Sequence, residues 1–98
     1  MKAYRHLVKF ALNKGYDISV WDGEEWQVKR SNKFQNIIDA IESVEEAELK
    51  IRIPEYGTLV TWARVSAYGL EDDETVVDYY VDDFTKEWEE SYTATQNL

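Results

Sequence analysis

The chain has 98 residues, 44% hydrophobic and 14% aromatic, and its 20 Asp and Glu outnumber 11 Lys and Arg for a formal charge of −9. That length holds one domain, burying about 60–65% of the surface its unfolded form exposes, and four Trp and seven Tyr give it too much apolar surface for a disordered segment. The absence of Cys and the single His exclude disulfides and the usual zinc sites, and no apolar run approaches the roughly 18 residues of a membrane span, so a cytoplasmic protein without a membrane partner is expected.

From Lys2 to Lys14 the apolar residues Tyr4, Leu7, Val8 and Ala11 recur at helical steps, and Asn13 and Gly15 suit the end of that helix. Tyr16, Ile18 and Val20, then Trp26 and Val28, alternate with polar residues and read as a hairpin. A three-residue loop, Trp21-Asp22-Gly23, sets Ile18 opposite Trp26 and Tyr16 opposite Val28, with Gly23 in the left-handed position. Ser31 or Asn32 caps a second helix with the stripe Phe34, Ile37, Ile38, Ile41 and Val44. Leu49, Ile51 and Ile53 form a strand, Pro54-Glu55-Tyr56-Gly57 a turn, and the β-prone run Thr58 to Tyr68 closes a second hairpin.

The order helix, hairpin, helix, hairpin amounts to two αββ units, residues 2–30 and 31–69, whose Tyr4, Leu7 and Val8 correspond to Phe34, Ile37 and Ile38. Beyond them Val77, Val81, Phe84, Trp88 and Tyr92 step by four and three, which predicts a third, acidic helix over about 75–92, starting between Thr75 and Asp83, and a frayed tail over 93–98. Residues 75–81 are also β-prone, so a fifth strand is the alternative there. The expected fold is a single α+β domain, α-β-β-α-β-β-α, with a four-stranded antiparallel sheet and the helices packed on one face.

Residues 71–98 carry ten Asp and Glu against Lys86 alone, while residues 1–70 are balanced, so the whole net charge lies in the tail. An acidic binding surface follows, made of Glu71, Asp72, Asp73, Glu74, Asp78, Asp82, Asp83, Glu87 and Glu90. On a helix Asp78, Asp82 and Lys86 share one line and Asp83, Glu87 and Glu90 another, spacing charges by about 6 Å as a phosphate ladder does. Such a ladder imitates DNA before a basic protein groove. Acids at Glu87, Glu89 and Glu90 near the expected helix C-terminus oppose the macrodipole, the mark of residues kept for a partner, although charge opposite an apolar stripe is also the ordinary dress of a surface helix.

Alternation along the strands sends Ile18, Val20, Trp26, Val28, Leu49, Ile51, Leu59, Ala63 and Val65 towards the helices. The other sheet face then offers a second candidate site in Lys29, Lys50, Arg52, Trp62, Arg64 and Tyr68, together with Val60. That face suits stacking of single-stranded bases or a homodimer, and long basic stems also cover a plain solvated sheet. A charge of −9 disfavours a nucleic-acid ligand. His6 lies beside the first helix's stripe as a surface residue, no Gly-x-Ser-x-Gly turn is present, and the isolated glycines form no phosphate loop. No enzyme, cofactor or metal site is expected.

The stretch Tyr16-Asp17-Ile18-Ser19-Val20-Trp21-Asp22-Gly23-Glu24-Glu25-Trp26-Gln27-Val28-Lys29-Arg30-Ser31, followed by Asp39-Ala40-Ile41-Glu42-Ser43-Val44-Glu45-Glu46-Ala47, resembles small accessory proteins of tailed bacteriophages of enteric bacteria. The resemblance covers about the first half of the chain. It implies a phage origin, interference with a factor in the host cytoplasm, and no site residues.

Overall fold

Three apolar stripes at helical spacing and five runs of β-branched and aromatic residues resolve into two layers in the computed structural model, which describes residues 1–96. In chain order the elements are α1 (Ala3–Asn13), β1 (Asp17–Trp21), β2 (Trp26–Ser31), α2 (Phe34–Glu42), β3 (Ala47–Arg52), β4 (Leu59–Val65), a 3-10 turn (Asp72–Thr75), β5 (Val76–Tyr79) and α3 (Asp83–Gln96). The sheet is antiparallel throughout, in the order β2-β1-β3-β4-β5. It has five strands, not four.

The expected stripes are the core. Tyr4, Leu7, Val8 and Ala11 of α1 and Ile37, Ile38 and Ile41 of α2 are buried against Ile18, Val20, Leu49, Ile51, Ala63 and Val65 of the sheet. Each fully buried Ile or Leu stabilises by about 1.5–3 kcal/mol relative to an exposed one. The two αββ halves join through β1 and β3, where Ile18 stands opposite Ile51 and Val20 opposite Leu49. Helix α1 touches both α2 and α3, so the three helices form one layer.

The predicted helix begins at Asp83, the late end of its expected range, and the alternative of a fifth strand before it is the one observed. Val76–Tyr79 extends the sheet beyond β4, and Val77 and Val81, assigned to the helical stripe, are 51% and 79% exposed. Strand pairing wins because β4 otherwise leaves its outer amides and carbonyls unpaired, a cost the β-prone run removes. The stripe restarts at Phe84, Trp88 and Tyr92, all buried. The helix continues through residues 93–96, expected to fray, while 97–98 of that predicted tail lie outside the described residues.

The first hairpin has a different register from the one expected. Trp21 pairs with Trp26, Val20 with Val28 and Ile18 with Ser31, with irregularities on both sides of Val20. The connection is a four-residue one, Asp22–Glu25, closed by the Asp22 amide donating to the Glu25 carbonyl at 3.0 Å. The Asp22 carboxylate accepts the Glu24 and Glu25 amides, each at 2.7 Å, and the Glu25 and Glu24 bonds lower its pKa. Gly23 holds the expected positive φ, +104°.

Trp26 pairs with Trp21 and so faces away from the helices rather than towards them, and the extra residue between Trp26 and Val28 turns Val28 back towards the core. Arg30 occupies the second bulge at φ 53°. Its amide donates to Ser19 Oγ at 2.9 Å, its Nε lies 2.8 Å from an Asp17 carboxylate oxygen, and its Nη2 reaches the Pro54 carbonyl at 2.8 Å. This strap buries Asp17 and Ser19 on the face opposite the helices. A further irregularity in β4 exchanges two more assignments, since Val60 packs against the core and Leu59 is 44% exposed.

At the end of α2 the Glu42 carboxylate accepts the Tyr4 hydroxyl and Arg5 Nη2, the latter at 3.1 Å. The Tyr4 bond, with Arg5 beside it, lowers the Glu42 pKa, while burial and that same bond raise the Tyr4 pKa. A carboxylate whose folded pKa is depressed adds stability above its unfolded value and loses it as pH falls through the folded one. Glu42→Gln is therefore expected to lower stability at neutral pH and to flatten its decline below the usual carboxylate range. Urea unfolding of both proteins from pH 7 down to pH 3 checks this, and parallel curves count against it.

Candidate functional site

The predicted acidic set divides between elements. Glu71 to Glu74 form and precede the 3-10 turn, where the Tyr4 amide donates to Thr75 Oγ1 at 3.1 Å and Thr75 Oγ1 donates to the Asp72 carbonyl at 2.7 Å. This sets an anionic turn against the N-terminus of α1, whose own first turn has no acid, so the macrodipole favours it. Gly69 makes the approach possible, because a Cβ there would lie 3.2 Å from the Glu74 carbonyl.

Asp78 and Asp82 leave the helical ladder. Asp78 sits on β5 opposite Arg64, and its carboxylate accepts the Tyr79 amide at 2.9 Å, which masks part of an outer sheet edge. Asp82 is the cap of α3: its Oδ1 accepts the Thr85 amide at 2.8 Å, its own amide donates to Thr85 Oγ1 at 3.0 Å, and its Oδ2 accepts the buried Thr61 hydroxyl at 2.6 Å. The predicted line Asp78–Asp82–Lys86 is thus absent. Asp83, Glu87 and Glu90 do share α3, and all three are exposed. Because α3 runs on to Gln96, Glu87, Glu89 and Glu90 lie mid-helix and do not oppose its macrodipole.

Lys14 Nζ lies 2.7 Å from Glu87 and is the one basic side chain paired with this region among the described residues. Its pKa rises through that bond. The remaining ion pairs, Arg5–Glu42, Arg30–Asp17 and Arg64 with Glu46 and Glu48, all fall within residues 1–70.

The second candidate surface is the sheet face away from the helices. Trp21 meets Trp26 edge-on at 5.0 Å, and Lys50 Nζ lies 5.5 Å from the Trp26 ring. Lys50 is the cross-strand partner of Trp62, which contacts Tyr80 at 5.3 Å and carries the Arg64 guanidinium 5.5 Å from its ring. An aromatic and cationic band therefore crosses β2, β1, β3 and β4 and ends on Tyr80, the residue after β5. Trp21, Trp26 and Tyr80 were missed because they read as loop, core and helix; only the bulges and β5 bring them to one face.

Of the six residues predicted for that face, Lys50, Trp62 and Arg64 belong to the band, and Arg52 adjoins it opposite Asp17. Lys29 lies on the bulged outer strand, along a shallow groove with α2. Tyr68 is elsewhere: it follows β4, and its hydroxyl donates to the Glu42 carbonyl at the end of α2. Arg64 is also held by Glu46 at 3.2 Å and Glu48 at 3.8 Å, so the face is less basic than its Lys and Arg suggest.

His6 is not on the open surface but half-buried in the seam between α1 and α3, 5.4 Å from the Tyr92 ring and with Nε2 3.4 Å from Ser91 Oγ. Burial lowers its pKa, helped by Lys9 and the N-terminal amine. Nδ1 is buried with no hydrogen-bond partner among the described residues.

No helix among the described residues is long and apolar enough to cross a membrane. No family model matches the chain, and no curated protein or solved structure matches it either. The capping role of Asp82 separates it from its exposed neighbour. Asp82→Ala is expected to cost about 1–2 kcal/mol by losing a cap and orphaning Thr61, whereas Asp83→Ala stays within about 0.5 kcal/mol; urea unfolding midpoints distinguish them.

Proposed function

We propose that this chain is a non-enzymatic acidic binding protein whose helical side, formed by α3 and the Glu71–Glu74 turn, docks on a basic site of a protein partner. The observation that supports this reading is the charge distribution. Nine of the ten carboxylates in residues 71–96 are exposed, and Glu87 alone is ion-paired among the described residues. The Lys14–Glu87 pair is exposed on the Glu side, and a solvent-screened surface pair is too weak to withhold Glu87 from a partner.

Unneutralised surface charge accelerates encounter with an oppositely charged surface and repels phosphate, so the partner is cationic and its natural ligand anionic. A groove that handles nucleic acid has that character. Competition with DNA for such a groove is the mechanism proposed, with Asp83, Glu87 and Glu90 as the short carboxylate row, in keeping with a phage product that acts on a host enzyme. Asp78 and Asp82 have no part in it.

Affinity capture from a bacterial lysate tests the reading. The chain is expected to retain a basic protein that added DNA displaces, and retention is expected to fall at least tenfold when Glu71, Asp72, Asp73, Glu74, Asp83, Glu87, Glu89 and Glu90 become Gln or Asn. Unchanged capture by that variant refutes it.

The aromatic band favours a second reading, binding of single-stranded nucleic acid across Trp62, Tyr80, Trp26 and Lys50. With phosphate repelled by the chain's net charge, an oligo-dT titration at low salt is expected to leave tryptophan emission unchanged. Quenching that weakens steeply with added salt would transfer the function to the sheet face.

A further inference from the structure

The acidic turn and the second half of α3 border an open hollow of about 520 Å³, lined by Leu70, Glu71, Asp72, Asp73, Tyr92, Thr93 and Gln96. Its composition is uneven: carboxylates on one wall, a helix face on the other, and Leu70, 94% exposed, at the lip. The Tyr92 side chain forms part of the wall. Tyr92 is only 8% exposed, and its hydroxyl oxygen is buried with no hydrogen-bond partner among the described residues.

An orphaned hydroxyl in a buried position costs about 1–3 kcal/mol, so it calls for an explanation. Packing does not supply one, because the ring is already placed by stacking on Trp88 at 5.8 Å and by the edge contact with His6, which Phe would reproduce. Burial and the nearby Asp73 and Asp72 carboxylates raise the Tyr92 pKa, so the phenol keeps its proton, and its oxygen can still accept from a donor.

We propose that this hollow is a slot for one cationic side chain of a partner protein, a guanidinium or ammonium group that donates to Tyr92 Oη and to the carboxylates of Asp72 and Asp73 while its aliphatic stem lies along Leu70. The slot rests on the acidic docking surface argued above and gives that surface its anchor point. The ligand is an organic cation rather than a metal ion, since no three carboxylate or imidazole groups converge among the described residues as a metal would need. A guanidinium fits best, having a planar fork for two acceptors.

Calorimetric titration of the whole chain with nona-arginine amide and nona-lysine amide at low ionic strength provides the test, using wild type, Tyr92→Phe, Asp73→Asn and the eight-residue neutralised variant. Tyr92→Phe is expected to weaken nona-arginine binding about tenfold, the worth of a charge-assisted hydrogen bond. Its urea midpoint should equal or exceed that of wild type, which a merely structural hydroxyl would not allow. Asp73→Asn is expected to weaken binding comparably, and nona-lysine to bind less tightly than nona-arginine. If Tyr92→Phe and Asp73→Asn bind as wild type while the neutralised variant does not bind, the slot is overturned and the acidic surface stands. If the neutralised variant also binds as wild type, both fail.

Discussion

The pairing of β1 with β3 is the constraint on which the molecule depends. Each αββ half has a helix with one apolar side and a hairpin with one apolar face, and neither half alone can cover both. Setting Ile18 against Ile51 and Val20 against Leu49 makes the two apolar faces continuous, and only then do α1 and α2 have a common floor to rest on. Extending that floor by β5 gives α3 its place beside α1, where Phe84 meets Phe10 at 5.4 Å. The helix layer is therefore sealed by α3, and the opposite sheet face is left without a covering layer.

Electrical asymmetry follows from that layering. Eight of the ten carboxylates of residues 71–96 emerge where the chain has finished its core: on the turn beside α1 and on the outer side of α3, two elements whose inner sides are used by Thr75, Phe84, Trp88 and Tyr92. The basic residues of the first two thirds are spent differently. Arg30 is drawn across β1 to Asp17 and Pro54, Arg64 is held between Glu46 and Glu48, and Arg5 closes on Glu42. Three arginines are paired within a body whose acids and bases balance in number, whereas the acids at the end outnumber their bases and only Glu87 is ion-paired among the described residues, which is the physical content of the proposed docking surface.

The helical stripes were legible because burial on one side imposes a period of about 3.6 residues that little else produces. Tyr4, Leu7 and Val8, and Ile37, Ile38 and Ile41, are buried as their spacing required. Strand faces were less legible. A single bulge breaks the alternation between the residues on its two sides, so Trp26, split from Val28, and the Val60–Leu59 pair came out on the wrong sides although their strands were correctly placed. The Val77–Val81 spacing misled for a different reason: four residues of β-prone sequence fit a helical step by chance, and the open edge of β4 decided the matter. Asp82 and Thr85 held the better signal, a reciprocal cap three residues apart that marks the true start of α3.

By itself the sequence determined the class of the fold, the two αββ halves, the residues of the helical core and the confinement of net charge to the last 28 positions, because each of these depends on local periodicity or on counting. Tertiary structure alone decided that Val76–Tyr79 is a strand, that Trp21, Trp26, Trp62 and Tyr80 form one band, and that Tyr92 meets Asp72 and Asp73 across a hollow. Those outcomes depend on bulges, on a vacant sheet edge and on residues some twenty positions apart, where the energy of a contact belongs to the neighbours the fold supplies and not to the segment that carries it.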